Sequence, residues 1–479
     1  MSKEGGGMSE FLKLNAYVKS HGGKKRVLSY ALIGALCGLI ALPVGFFSGR
    51  SHGYRMAVGE LSATRANAHT SAPMPASGAV PSPTPIKPQL VQSEASKPTV
   101  GAKEELQASI ARMTEDGGLI LPTRTFVVAG DISLIYLRAV VPVEDPEVFE
   151  YAIRCTCDFA VLQRRRVLLT PDSKVRGQFS LSVEVRTPAG DLVDRRSLEI
   201  GVVDPQAGSG QSFQMLMVGD SLGHANHFPD ELANLLRRPG NPDVTFVGSF
   251  RPPGSTVPHE QYGGWTFRHF NELFNADPRI FHKDRSPFIF SGGGDKPVFD
   301  AQRYFDETLG GARPRNIHVQ LGINDAFGLL PNDPGLAAKL DAILRQADLM
   351  IAGLRKALPD ATITVGSVIQ ANATDRAFIE SYPKEREELR SEWRWRQVQM
   401  RLARKMVEHF EGREAERIYL VPTHMAVDPI EGYNPHPYMV AAFDFKIGNA
   451  VHPNNIGDAQ LASAIYTVLK AELAGPVIH

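Results

Sequence analysis

The chain has 479 residues, 52 basic and 52 acidic, with no net charge and 43% apolar residues. That length allows two or three domains, and the apolar share is ordinary for a globular protein. With the charge balanced and no basic stripe, nothing in the composition asks for a nucleic-acid partner. The three cysteines are too few for a disulfide framework.

The N-terminus sets the expected compartment. Residues 27–48 carry no charge over 22 positions, enough to cross a hydrocarbon layer of about 30 Å. Lys19, Lys24, Lys25 and Arg26 precede this stretch, so the positive-inside tendency puts residues 1–26 in the cytoplasm. The stretch is longer than the apolar core of a cleavable signal, and Phe46-Phe47-Ser48-Gly49-Arg50 is a poor cleavage context. A single-pass signal anchor over 27–48 is expected, with the rest periplasmic or extracellular. Arg50 and Arg55 on the far side weaken the charge asymmetry.

Residues 49–105 read as an extended tether, with Pro73, Pro75, Pro81, Pro83, Pro85 and Pro88 set among Ala, Ser and Thr. From 106 to 208 the pattern turns to short alternating strands, at 132–141, 149–154, 177–186 and 192–203, with Pro188-Ala189-Gly190-Asp191 as a turn. This spacing predicts a small β-sandwich of immunoglobulin-like type. Cys155 and Cys157 read as unreactive strand cysteines, too close along an extended strand to bridge easily, with a two-ligand metal site as the alternative.

Residues 209–479 alternate apolar strands (214–218, 244–249, 317–321, 362–369, 417–421) with helices, among them 336–358 and 387–410. Such alternation predicts an α/β fold, a parallel sheet covered on both faces. Chemistry then belongs at the carboxyl ends of the strands. Trp393 and Trp395 read as packing residues of the long helix.

Four stretches carry reactive or donor groups at strand ends. The first is Gly219-Asp220-Ser221-Leu222, where a buried strand delivers a hydroxyl to the start of a helix and leaves backbone N–H groups beside it. The second is Gly263-Gly264-Trp265, a glycine turn that lets an N–H approach an oxygen. The third is Gly322-Ile323-Asn324-Asp325, a neutral carboxamide able to donate to a developing oxyanion. The fourth is Asn449-Ala450-Val451-His452-Pro453, an imidazole on a proline-fixed loop. In combination they are what serine hydrolysis needs: Ser221 as nucleophile, His452 as general base and acid, and Ser221 N–H, Gly264 N–H and Asn324 as oxyanion donors. His224 and the loop at Tyr433 and Asn434 are candidates to line the cleft.

These residues resemble the SGNH (GDSL-type) hydrolase family. The resemblance spans 209–479 and implies a flavodoxin-like three-layer fold, with esterase or deacetylase activity and no cofactor or metal. With the immunoglobulin-like front module it also points toward carbohydrate esterases. One departure stands out: the family places an aspartate three residues before its histidine, and this chain has Asn449. In serine proteases, exchanging the orienting Asp for Asn costs about 10⁴ in turnover. Three readings follow. Asn449 or a backbone carbonyl orients His452; a carboxylate such as Asp428 or Asp444 does so; or the site binds without turnover. The expected function is a membrane-anchored extracytoplasmic serine esterase acting on an acylated, chiefly acetylated, carbohydrate or envelope glycan. An O-acyltransferase using the same acyl-enzyme and a dead glycan-binding scaffold are the alternatives.

Overall fold

The computed structural model describes residues 89–90, 100–278, 281–292, 296–434, 438–440, 445–447 and 450–475. The expected anchor at 27–48, most of the tether, Asp444 and Asn449 lie outside the described residues. Among the described residues, no helix is long and apolar enough to cross a membrane.

The first part of the described chain wraps two sheets around one core. Strands β1 (Gln89–Leu90), β2 (Arg124–Val128), β4 (Glu150–Cys155), β7 (Gly177–Arg186) and β8 (Leu192–Val203) form a five-stranded sheet in the order β1-β4-β7-β8-β2. Strands β3 (Ser133–Tyr136), β5 (Ala160–Gln163) and β6 (Arg166–Leu169) form a three-stranded sheet. Val127, Ile135, Val167, Leu181, Val183 and Ile200 are buried in the shared core. Alternation along β7 and β8 sets one face inward, which explains why the 177–203 hairpin is the segment best read from sequence.

Three readings in this part need correcting. Residues 100–105 are not tether but the start of helix α1 (Val100–Glu115), and Gln89–Leu90 already pairs with β4. Helix α1 has no broad apolar stripe, so the helical period is nearly silent there. Residues 137–140 form a helical turn rather than a continuation of β3; a short apolar run does not distinguish the two. Cys155 and Cys157 are joined by a disulfide, because the chain bends after β4 and brings their Cα atoms to 5.0 Å.

The second part is an α/β layer structure. Strands β9 (Ser212–Gly219), β10 (Asp243–Val247), β11 (Glu260–Gln261), β12 (Asn316–Gln320), β13 (Thr362–Gly366) and β14 (Ile418–Val421) form one sheet, ordered β10-β9-β12-β13-β14 with β11 also on β9. All its pairings are parallel. Counted from β9, the five main strands run 2-1-3-4-5, the flavodoxin-like order expected from sequence. Near-continuous burial of β9, β12 and β13 shows that both faces are covered. Helices α2 (Ser221–His224) and α3 (His227–Leu236) follow β9; α3 packs against the last helix, α7 (Asn455–Leu473). On the other side α5 (Leu336–Ala357) packs against α6 (Glu392–Phe410), with α4 (Ile323–Ala326) preceding both in the chain. Trp395 is fully buried in this core, as a packing residue should be.

The two parts are stitched by buried polar groups. Lys470 Nζ, on α7, donates to the carbonyls of Pro205, Ala207 and Gly240. Gln460 donates to the Tyr136 hydroxyl at 2.8 Å. Arg396 Nη2 donates to the Val143 carbonyl at 2.8 Å. Each would be costly to leave unpaired, so each fixes the junction it spans.

Candidate active site

The order of strands reverses at β9, and a crevice at the carboxyl ends is the expected consequence. Ser221 follows β9 there. Asp220 caps α2, its Oδ1 accepting from the Leu222 N–H at 3.0 Å. The turn is tight because the Gln261 carboxamide lies across it: a Cβ on Gly223 would sit 1.8 Å from Gln261 Oε1. Any side chain at 223 would displace Gln261 or the turn itself.

The second lane is discontinuous. Strand β10 pairs with β9 as far as Val247 opposite Leu216; the chain loops out, and β11 resumes with Glu260 opposite Val218 and Gln261 opposite Gly219. Tyr262 N–H then donates to the Gly219 carbonyl at 3.0 Å, so Gly263-Gly264 leaves the sheet beside Asp220-Ser221. Gly264 has φ +81 and is exposed, with nothing within 4 Å of where its Cβ would sit. Its glycine is needed for backbone conformation, not for space.

The third lane is β12, with Gln320 opposite Gly219. It delivers Asn324 to the same edge, and Asn324 Nδ2 donates to the Trp265 carbonyl at 3.0 Å. A carboxamide has a second N–H, which remains for a ligand oxygen. Ser221, Gly264 and Asn324 are thus gathered by strand register, and the last two blocks are tied by a direct hydrogen bond.

Two acidic side chains lie beneath. Asp220 is fully buried, and burial pushes its carboxyl up to about 8, aided by the nearby Asp325. Burial likewise pushes Asp325 up to about 7 against backbone N–H groups that pull it down. Burial thus favours the uncharged form of Asp220 at neutral pH.

His452 lies on the loop between Ala450 and α7, near His227 at the start of α3. Its neighbour Ala450 accepts from the backbone N–H of Asn372 at 2.8 Å, and Asn372 comes from the carboxyl end of β13. Asn372 Nδ2 also donates to the Asn434 carbonyl at 2.7 Å. Asn454 caps α7 by accepting from Ile456 and Gly457 at 2.8 and 3.2 Å, and donates to the Glu431 carbonyl at 2.9 Å. Burial depresses His452 to about 4, with the nearby imidazole of His227 adding to the shift. Its neutral form, the one that can take a proton, therefore predominates at physiological pH.

Asp428 does not serve as the orienting carboxylate in this arrangement. Its Oδ1 accepts from the Ile430 N–H at 2.9 Å and its Oδ2 stands 4.0 Å from Arg165, so it faces the first part of the chain. There it borders a cavity of about 460 Å³ shared with Tyr136, Arg138 and Tyr151. His224 neither caps nor projects freely: its Nδ1 lies 3.0 Å from the Gln261 carbonyl, and its ring stacks on Phe250 at 4.8 Å. Tyr433 is buried, its hydroxyl donating to the Gln370 carbonyl, so it props the loop rather than lining a cleft.

Gln261, Asn372, His227 and Glu260 were not singled out by sequence. The signal available was a run of polar residues, His259-Glu260-Gln261, next to a glycine turn. Such a run reads as a solvated loop, yet all three are buried.

No protein-family model matches the chain, and no curated protein matches it. Among solved structures it is similar to a carbohydrate esterase of family 3 from Talaromyces cellulolyticus, at 15% identity and TM-score 0.29, over 55% of this chain and 98% of that one. It is also similar to a putative GDSL-like lipase from Parabacteroides merdae, at 11% identity and TM-score 0.30, over 55% and 96%. A third is Axe2, an acetylxylan esterase from Geobacillus stearothermophilus, at 16% identity and TM-score 0.29, over 56% and 96%.

Proposed function

We propose that the chain is a serine esterase that removes an acyl group, acetyl in the first instance, from a carbohydrate or envelope glycan. The observation that carries this reading is the convergence of three neighbouring strand lanes on Ser221, Gly264 and Asn324, with Asn324 bonded to the Trp265 carbonyl. In the proposed reaction Ser221 Oγ attacks the ester carbonyl while His452 takes its proton. Charge on the former carbonyl oxygen is met by the N–H groups of Ser221 and Gly264 and by Asn324 Nδ2. Collapse expels the sugar alcohol, which receives the proton from His452 and leaves an acyl group on Ser221. Water, deprotonated by His452, then releases the carboxylic acid and restores the enzyme.

The membrane anchor at 27–48 belongs to the same proposal. It is supported by the uncharged run and the basic residues before it, and by a proline-rich tether suited to reaching a fixed polymer. Fractionation with and without residues 1–48 tests it.

The test of the chemistry is labelling of the protein by a fluorophosphonate, followed by peptide mapping. An adduct on Ser221 that is lost in Ser221→Ala and His452→Ala, with p-nitrophenyl acetate hydrolysis lost in step, is expected. Full hydrolysis by Ser221→Ala would remove the proposal. Acyl transfer to a sugar exceeding hydrolysis would convert it to the transferase reading.

A further inference from the structure

The lane that carries Gly264 leaves the sheet after Val247 and re-enters at Glu260. Whatever holds those two points together therefore sets where Gly264 emerges. Glu260 is fully buried, and four donors meet its carboxylate. Ser249, at the point of departure, gives both its N–H and its hydroxyl, the latter at 3.0 Å. Tyr262, two residues before Gly264, gives its hydroxyl to Oε2. Tyr304, from a separate helical turn, gives its hydroxyl to Oε1. A buried carboxylate is tolerated only when its lone pairs are served this fully, and in return it fixes every group that serves it.

The downstream path is equally direct. The Tyr262 ring packs on Trp265 at 4.8 Å between centroids, Trp265 N–H donates to the Tyr262 carbonyl at 3.2 Å, and the Trp265 carbonyl receives Asn324. Gly264 lies between Tyr262 and Trp265 without side-chain support of its own. We infer that Glu260 is a positioning residue for the oxyanion-holding turn: by clamping Ser249, Tyr262 and Tyr304 it sets the height of the Gly264 N–H and, through Trp265, the aim of Asn324. This rests on the esterase reading above, and extends it to a residue that touches no substrate.

The test compares wild type, Glu260→Gln, Tyr262→Phe and the double variant, using p-nitrophenyl acetate turnover normalised to fluorophosphonate-labelled sites, and inhibition by a trifluoromethyl ketone as an oxyanion mimic. Misplacing a donor by about 1 Å costs on the order of 10²-fold. Glu260→Gln is accordingly expected to lower kcat by about 10- to 100-fold, with KM little changed and ketone affinity falling in parallel with kcat/KM. Because both residues act on one turn, adding Glu260→Gln to Tyr262→Phe should cost much less than it does alone. A purely structural Glu260 would lower the melting temperature while kcat per labelled site and ketone affinity stayed at wild-type values, and that result would overturn the inference alone. A wild type that neither labels nor turns over would instead remove the esterase reading, and this inference with it.

Discussion

The two halves of the candidate site are built differently. Ser221, Gly264 and Asn324 follow shortly after Gly219, Gln261 and Gln320, which are paired side by side in adjacent parallel lanes, so sheet register brings the three turns together. His452 stands on a loop held on one flank by the Asn372 backbone N–H, which donates to Ala450, and on the other by the Asn454 side-chain amide, which donates to Glu431. The comparison teaches where rigidity is most useful. Oxyanion donors work by being aimed before charge appears, so they gain from a sheet. His452 is located instead by the few hydrogen bonds that its flanking residues make to remote segments.

Several substitutions would break or sharpen this contrast. The largest effect belongs to the nucleophile: Ser221→Ala should lower kcat on the order of 10⁶-fold, read by turnover with the ester probe. Asn324→Ala removes a preorganised donor and should cost about 10²- to 10³-fold in kcat, with KM nearly constant; an equal loss in KM would mean that Asn324 merely binds the ground state.

Asp220 supplies a stability test. Its folded value, about 8, lies above the ordinary 3.8, so the folded state keeps a proton that the unfolded chain loses. Its contribution is complete below about pH 4 and is lost as pH rises toward 8. Urea unfolding should show stability falling across that window, and Asp220→Asn, which keeps the Oδ1 acceptor for Leu222, should flatten the fall. An unchanged slope in Asp220→Asn would mean that Asp220 is not the group responsible. The smallest effect concerns the loop half. Burial is the main cause of the low His452 value and the nearby His227 adds to it, so His227→Ala should move the acid limb of kcat/KM slightly upward from about pH 4. No movement would place His227 too far away to matter.

Much of this was legible from the chain. The hairpin shows a period of two over Phe179–Val185 and Leu198–Val202, and the apolar run of β9 ends at its glycine. What escaped was whatever gets its character from distant partners. Glu260–Gln261 is a strand of two polar residues, invisible to any periodicity. Helix α1 lacks a stripe, and the Cys155–Cys157 bridge depends on a bend that an extended-strand reading denies.

The sequence by itself determined the four reactive blocks and the alternation of strand and helix, because hydrophobic period and turn chemistry act over a few neighbouring residues. Only the tertiary structure decided that β11 re-enters the lane beside Ser221, that Asp220 sits where it stays largely protonated, and that Glu260 is served by four donors. Those outcomes depend on which remote segments close around a polar group, and desolvation by such segments sets its charge and its role.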